Sequence, residues 1–150
     1  MRVLRIKKRS GGVRTVVCPS ARRKAACRSL IHDLTDFARR IEVPGVLHGF
    51  MPLRSPITNA NRHVGYKYTL TMDLSNFFDS VQWNKMSPRP SLNADNLKAC
   101  LHYGVARQGL PTSPILANIA ATPMDKDIMA MDGTHDAGCA DVDMKFVYTR

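Results

Sequence analysis

From Lys67 to Leu74 apolar and polar positions alternate, with Tyr68, Leu70 and Met72 on one side and Lys67, Thr69 and Thr71 on the other. A period of two predicts a strand with one buried face. The run reaches Asp73, and Ser75 or Asn76 can then cap a helix that starts at Phe77 and Phe78 and extends from about Asn76 to Met86. Upstream, Val3, Leu4 and Ile6 face Val13, Val16 and Val17 across Ser10-Gly11-Gly12, which predicts a β-hairpin over Met1 to Val17. Pro19 and Ser20 open a helix from about Ala21 to Arg40, whose stripe is Ala26, Leu30, Leu34, Phe37 and Ile41. Prolines and glycines make Val43 to Pro56 mostly loop, and a short helix from Thr58 through Val64 follows.

Ser87-Pro88-Arg89-Pro90 stops the helix after Phe78. Ser91 to Tyr103 forms another, with Leu92, Leu97 and Leu101 on its apolar face, and Gly104 ends it. A Gly/Pro-rich loop from Arg107 leads into a helix reaching roughly Met131. After a polar stretch, Met144, Phe146 and Tyr148 begin a last alternating strand. The pattern is that of a mixed α/β (α+β) chain.

At 150 residues and 44% hydrophobic, the chain has the size and core of about one domain. No apolar run is long enough to cross a bilayer, and the basic start lacks the apolar region of a secretory signal. The four cysteines, Cys18, Cys27, Cys100 and Cys139, include no C-x-x-C pair. That argues against zinc and for reduced thiols in a cytoplasmic protein. The histidines show no metal-binding spacing.

Charge changes the picture more. The net +10 is uneven: residues 1–28 contain ten Lys or Arg and no acid, whereas six Asp after Ala121 face only Lys126, Lys145 and Arg150. A basic half beside a carboxylate-bearing half makes nucleic acid the leading partner. Lys7, Lys8, Arg9 and Arg14 crowd the hairpin tip, either as a solubilising surface or to meet phosphates. Arg22, Arg23, Lys24 and Arg28 sit at the unfavourable end of the helix dipole, where a bound anion would account for them. Asp73, at a strand end, either caps the turn or meets a cation or metal that offsets its desolvation.

Four stretches, in order, carry a family resemblance. VLHGFMPLRSPITNANRH, Val46 to His63, is similar to an H-G-F…R-S…T-N-A…H block. DLSNFFD, Asp73 to Asp79, resembles a strand-end Asp followed by a Phe pair. QGLPTSP, Gln108 to Pro114, with Asn118, is similar to Q-G-x-P-T-S-P-x-x-S-N, although Ala117 replaces the usual Ser and Ala106-Arg107 the usual Leu-Pro. FVYTR, Phe146 to Arg150, is similar to the strand that leads into Y-A-D-D. Together they resemble the fingers and palm of a bacterial reverse transcriptase of the retron and group II intron type.

The resemblance implies an RNA-directed DNA polymerase that works by in-line nucleotidyl transfer with two Mg²⁺ ions. Residues 1–66 would be a basic fingers-like region and residues 67–150 a partial palm of a right-hand polymerase. The antiparallel palm sheet would pair Lys67–Leu74 with Met144–Tyr148. Asp73 would be the catalytic ligand of both ions, with the carbonyl of Leu74 helping to hold one of them. Phe78 would pack under the sugar and disfavour a 2′-hydroxyl, and Gln108 would lie against the incoming nucleotide. Arg14 and a nearby lysine, Lys7 being best spaced, would clamp the triphosphate. The implied partners are an RNA template, a DNA primer or RNA–DNA hybrid, and deoxynucleoside triphosphates, with no membrane.

The residues end before Y-A-D-D, so the expectation is an N-terminal part of a polymerase that is inactive on its own. Asp141 and Asp143 precede the last strand and are poor substitutes for the Asp pair. A second reading is a non-catalytic nucleic-acid-binding remnant that uses the basic half. Retron synthesis, intron mobility and phage defence all use similar palms.

Overall fold

The structure, a computed structural model, describes residues 2–8, 11–65 and 74–132. The expected strands at Lys67–Leu74 and Met144–Tyr148, and with them Asp73, lie outside the described residues apart from Leu74.

The hairpin forms as its alternation implies. Strand β1 (Arg2–Lys7) pairs antiparallel with β2 (Val13–Cys18), Ile6 opposite Arg14 and Lys7 opposite Val13. Gly11 and Gly12 both take positive φ, the backbone such a reversal requires. Val3, Ile6 and Val13 stay about half exposed, so the ribbon projects from the body. Its base is anchored: Val17 is buried and its amide donates to the Gln108 carbonyl at 2.8 Å.

The single helix expected over Ala21 to Arg40 is two helices, α1 (Ala21–Ser29) and α2 (Ile31–Ile41). Ser29 donates its hydroxyl to the Ala26 carbonyl and Leu30 N–H bonds back to Cys27, which tightens and ends the first helix. The halves then serve different neighbours, α1 packing on α5 (Ala94–Cys100) and α2 on α6 (Ser113–Asp132). Arg23, one of the cations placed at the dipole's wrong end, is a tie. It donates to the carbonyls of Ala99 (2.9 Å) and Leu101, satisfying the open end of α5.

The loop after α2 is braced by Arg54, which grips Glu42 through two 2.7 Å contacts and also donates to the Leu47 carbonyl. Helix α3 (Pro56–Ala60) starts two residues earlier than expected. Ser55 and Thr58 form a capping box there, and a 3₁₀ turn at Asn61–His63 follows. His48 sits 2.8 Å from Thr58 Oγ1 and 3.1 Å from the Gly45 carbonyl, a structural use of both ring nitrogens.

The helix expected from Asn76 to Met86 is cut to α4 (Phe77–Ser80) and a 3₁₀ turn at Trp83–Lys85. Neither Ser75 nor Asn76 supplies a side-chain cap. Asn76 enters through the left-handed region, which asparagine tolerates. Tertiary pairing overrides helical propensity at Val81–Trp83: the Val81 carbonyl accepts from Ala106, Gln82 bridges Val105, and Trp83 donates to Gly104. Helix α5 is shorter than the expected Ser91–Tyr103 because Asn93 caps it by accepting from Asn96 N–H. Tyr103 and Gly104 then reverse the chain with positive φ.

The core runs from Leu34 and Ala38 of α2 through Leu47 and Met51 to Ile115, Leu116 and Ile119 of α6. Cys27 and Cys100 are buried within the body, and burial pushes the Cys100 thiol up to about 11, which makes it a poor nucleophile.

One buried carboxylate opposes the fold. Asp125 of α6 is 2% exposed, its Oδ1 has no hydrogen-bond partner among the described residues, and desolvation raises its pKa from 3.8 to about 6. A carboxyl whose folded pKa is raised is neutral at low pH. It destabilises the fold progressively as pH climbs from about 4 through about 6. Asp125→Asn is therefore expected to gain roughly 2–3 kcal/mol at pH 8, with the gain gone at pH 4. Urea unfolding at the two pH values checks this, and an equal effect at both would contradict it.

Candidate functional site

A cleft of about 880 Å³ opens between the hairpin, α4 and the start of α6. Gln108 and Gly109 bring the loop before α6 to the base of β2. At Gly109 φ is +99°, and a Cβ would stand 2.1 Å from the Val17 carbonyl oxygen, so only glycine fits. This contact, with the Val17–Gln108 hydrogen bond, seats the basic ribbon over the loop.

Four stretches of sequence meet here. Lys7, Lys8 and Arg14 line the cleft from the hairpin. Leu74, Phe77, Phe78 and Asp79 line it from the α4 side, and Gln108, Gly109 and Leu110 from the loop. Ser113, Pro114 and Asn118 come from α6, and Phe50 from the loop after α2. Of the residues singled out in the sequence, Lys7, Arg14, Leu74, Phe78 and Gln108 thus share one cavity, and Asp73 lies outside the described residues. In the register, Arg14 stands opposite Ile6, so Lys8 rather than Lys7 falls on its face of the ribbon by alternation. Spacing alone favours Lys7, and the register adds Lys8.

Other members of the wall carried weaker sequence signals. Phe50 has φ +58°, and the Gly49 carbonyl beside it accepts from Asn118 Nδ2 at 2.8 Å, so buried Asn118 fixes the H-G-F loop to α6. Ser113 donates to the Arg107 carbonyl at 2.6 Å. Arg107 Nη1 in turn meets Asp79 Oδ1 at 2.6 Å. The Asn118 tie could have been suspected from the motif, whereas the Arg107 pair could not, because Arg107 occupies a position where the motif usually has Pro.

The chemistry available is that of an anion and aromatic site. Three cations line the cleft together with the rings of Phe50, Phe77 and Phe78 and the amides of Asn76, Gln108 and Asn118, and the acid present among the described lining residues is paired. Among the described residues no group of three or more His, Cys, Asp or Glu gathers for a metal. No helix there is long and apolar enough to cross a membrane.

Comparison with known proteins gives the chain's family. The family described as reverse transcriptase (RNA-dependent DNA polymerase) matches residues 6–139. The Myxococcus xanthus retron Mx162 reverse transcriptase is 29% identical over 151 aligned positions, covering 84% of this chain and 30% of that protein. The retron Mx65 reverse transcriptase of the same organism is 30% identical, over 84% of this chain and 35% of its own length. The Escherichia coli retron Ec86 reverse transcriptase is 30% identical, over 81% of this chain and 39% of its own length. The chain thus spans about a third of the length of these relatives. With the family match running from the hairpin, through the cleft, to beyond α6, the chain belongs to the reverse transcriptase (RNA-dependent DNA polymerase) family.

Proposed function

We propose that these residues form the fingers (1–66) and the first part of the palm (67–150) of a retron-type, right-handed RNA-directed DNA polymerase. On this reading the cleft receives the incoming deoxynucleoside triphosphate opposite an RNA template and beside a DNA primer. The observation that carries the reading is the convergence of Lys7, Arg14, Leu74, Phe78 and Gln108 on one cavity from separate stretches of sequence.

Each residue's chemistry suits its place. Arg14, Lys7 and Lys8 bind the triphosphate by charge-assisted hydrogen bonds from a ribbon anchored at its base. Phe78 stands under the sugar and leaves no room for a 2′-hydroxyl. Gln108 and Leu110 shape the wall against the base and sugar of the new pair. Two Mg²⁺ ions would neutralise charge on the attacking and leaving oxygens, and Asp73 with the Leu74 carbonyl are the hard oxygen donors that would hold them. Asp79, paired with Arg107, is not among those donors.

Primer extension tests the reading. The 150 residues alone are expected to give nothing above background with Mg²⁺ or Mn²⁺, because one carboxylate leaves the metal set incomplete. Joined to the remainder of a retron relative's polymerase, they are expected to extend a primer on RNA. In that enzyme Phe78→Ala admits ribonucleotides. Arg14→Ala raises the nucleotide KM by about tenfold with kcat nearly kept, as expected for binding shared by ground and transition states. Loss of template binding in parallel by both variants would show that the residues serve the fold instead.

A further inference from the structure

Arg107 does not itself line the cleft, yet its guanidinium meets Asp79 at 2.6 Å across 28 residues of sequence. Asp79 is the one acid among the described residues lining the cleft, facing a wall that carries Lys7, Lys8 and Arg14. The turn that holds Asp79 also carries Phe78. It is short and enters through a left-handed Asn76 with no side-chain cap; Asp79 N–H donates to the Asn76 carbonyl at 2.9 Å and the Ser80 hydroxyl to the Phe77 carbonyl at 2.7 Å. An uncapped four-residue turn has little intrinsic stability and needs an outside tie. On the other side, the backbone of Arg107 is fixed, its carbonyl accepting from Ser113 and its N–H bonding the Val105 carbonyl.

We infer that Arg107 is a positioning residue for nucleotide selection. Its ion pair with Asp79 ties the Phe77–Ser80 turn to the Gln108 loop, setting where the Phe78 ring stands, and cancels the one negative charge among the described residues that line the cleft. The inference rests on the reading of the cleft as the nucleotide site. Solvent reaches both side chains, 30% for Arg107 and 47% for Asp79, and solvent-screened ion pairs add little to global stability. The pair therefore acts on local geometry and charge and scarcely on whether the chain folds. The same argument separates it from a merely structural contact, whose loss would lower the unfolding midpoint.

The test uses the 150-residue chain and the variants Arg107→Gln, Asp79→Asn and the exchanged pair R107D/D79R. Hydrogen exchange is read at the residue-79 amide, and dATP and ATP are titrated calorimetrically with Mg²⁺. The wild-type chain is expected to bind dATP several-fold more tightly than ATP. Arg107→Gln is expected to erase that preference, weaken both nucleotides and speed the amide exchange at least tenfold, with the urea midpoint almost unmoved. Asp79→Asn speeds exchange to a similar degree without weakening binding through charge, and the exchanged pair recovers the slow exchange. Unchanged exchange and unchanged preference in Arg107→Gln would overturn the inference, as would a collapse of the urea midpoint. Should the wild-type chain bind neither nucleotide, the nucleotide reading of the cleft falls and the selection role falls with it. The exchange arm then decides separately whether Arg107 holds the turn.

Discussion

Gly109→Ala is expected to unseat the hairpin and cost the fold about 3–5 kcal/mol. Two effects add. A φ of +99° is strained for any residue with a Cβ, and here the Cβ would lie 2.1 Å from the Val17 carbonyl oxygen and 2.9 Å from Val16 Cγ1. The first of these is backbone, which cannot rotate away as a side-chain end could. Relief requires β2 to move off the loop, which breaks the 2.8 Å Val17–Gln108 hydrogen bond and exposes buried Val17. For a domain whose total stability is about 5–15 kcal/mol, that is a large share. Urea unfolding should show a midpoint far below that of the wild-type chain, and an unchanged midpoint would refute the seating of the ribbon. Lys7, Lys8 and Arg14 ride on that ribbon, so nucleotide binding should fall along with stability.

Asp73→Asn is expected to have the larger effect on chemistry and almost none on binding. In the joined polymerase, extension should drop by at least about a thousandfold, since an amide is a weak ligand for a hard cation and carries no charge to offset the phosphates. Template–primer affinity should stay within about twofold, because basic residues elsewhere supply it. A filter-binding titration beside the extension assay separates the two quantities. Retained extension would show that other carboxylates suffice, and lost template binding would show that Asp73 supports the structure instead.

Short-range chemistry was readable along the chain, and long-range pairing was not. Gly11-Gly12 signals the hairpin, and the Gly/Pro-rich loop from Arg107 marks where α6 (Ser113–Asp132) begins. By contrast, nothing in the composition around Leu30 signals the break between α1 and α2, which is set by their packing on two different helices. Helical propensity after Phe78 was overridden at Val81 and Gln82 by backbone partners more than twenty residues away, Ala106 and Val105. The cleft divides the same way. Residues in short ordered stretches, such as Gln108 and Phe78, stand out in the sequence alone. The Asp79–Arg107 pair and the ribbon face that Lys8 shares with Arg14 arise only from tertiary contact and strand register.

The most direct test of the cleft as the nucleotide site is where an incoming nucleotide lies in the joined polymerase. A complex stalled on a dideoxy-terminated primer would be given a photoreactive deoxynucleoside triphosphate, irradiated, and its adducts mapped by mass spectrometry. Adducts on Lys7, Lys8 or Arg14 of the ribbon and on the Gln108–Leu110 loop, competed away by the matched natural deoxynucleotide, are the predicted result. Competed adducts confined to surfaces outside the cleft, such as the exposed Arg22, Lys24 and Arg28 of α1, would contradict it.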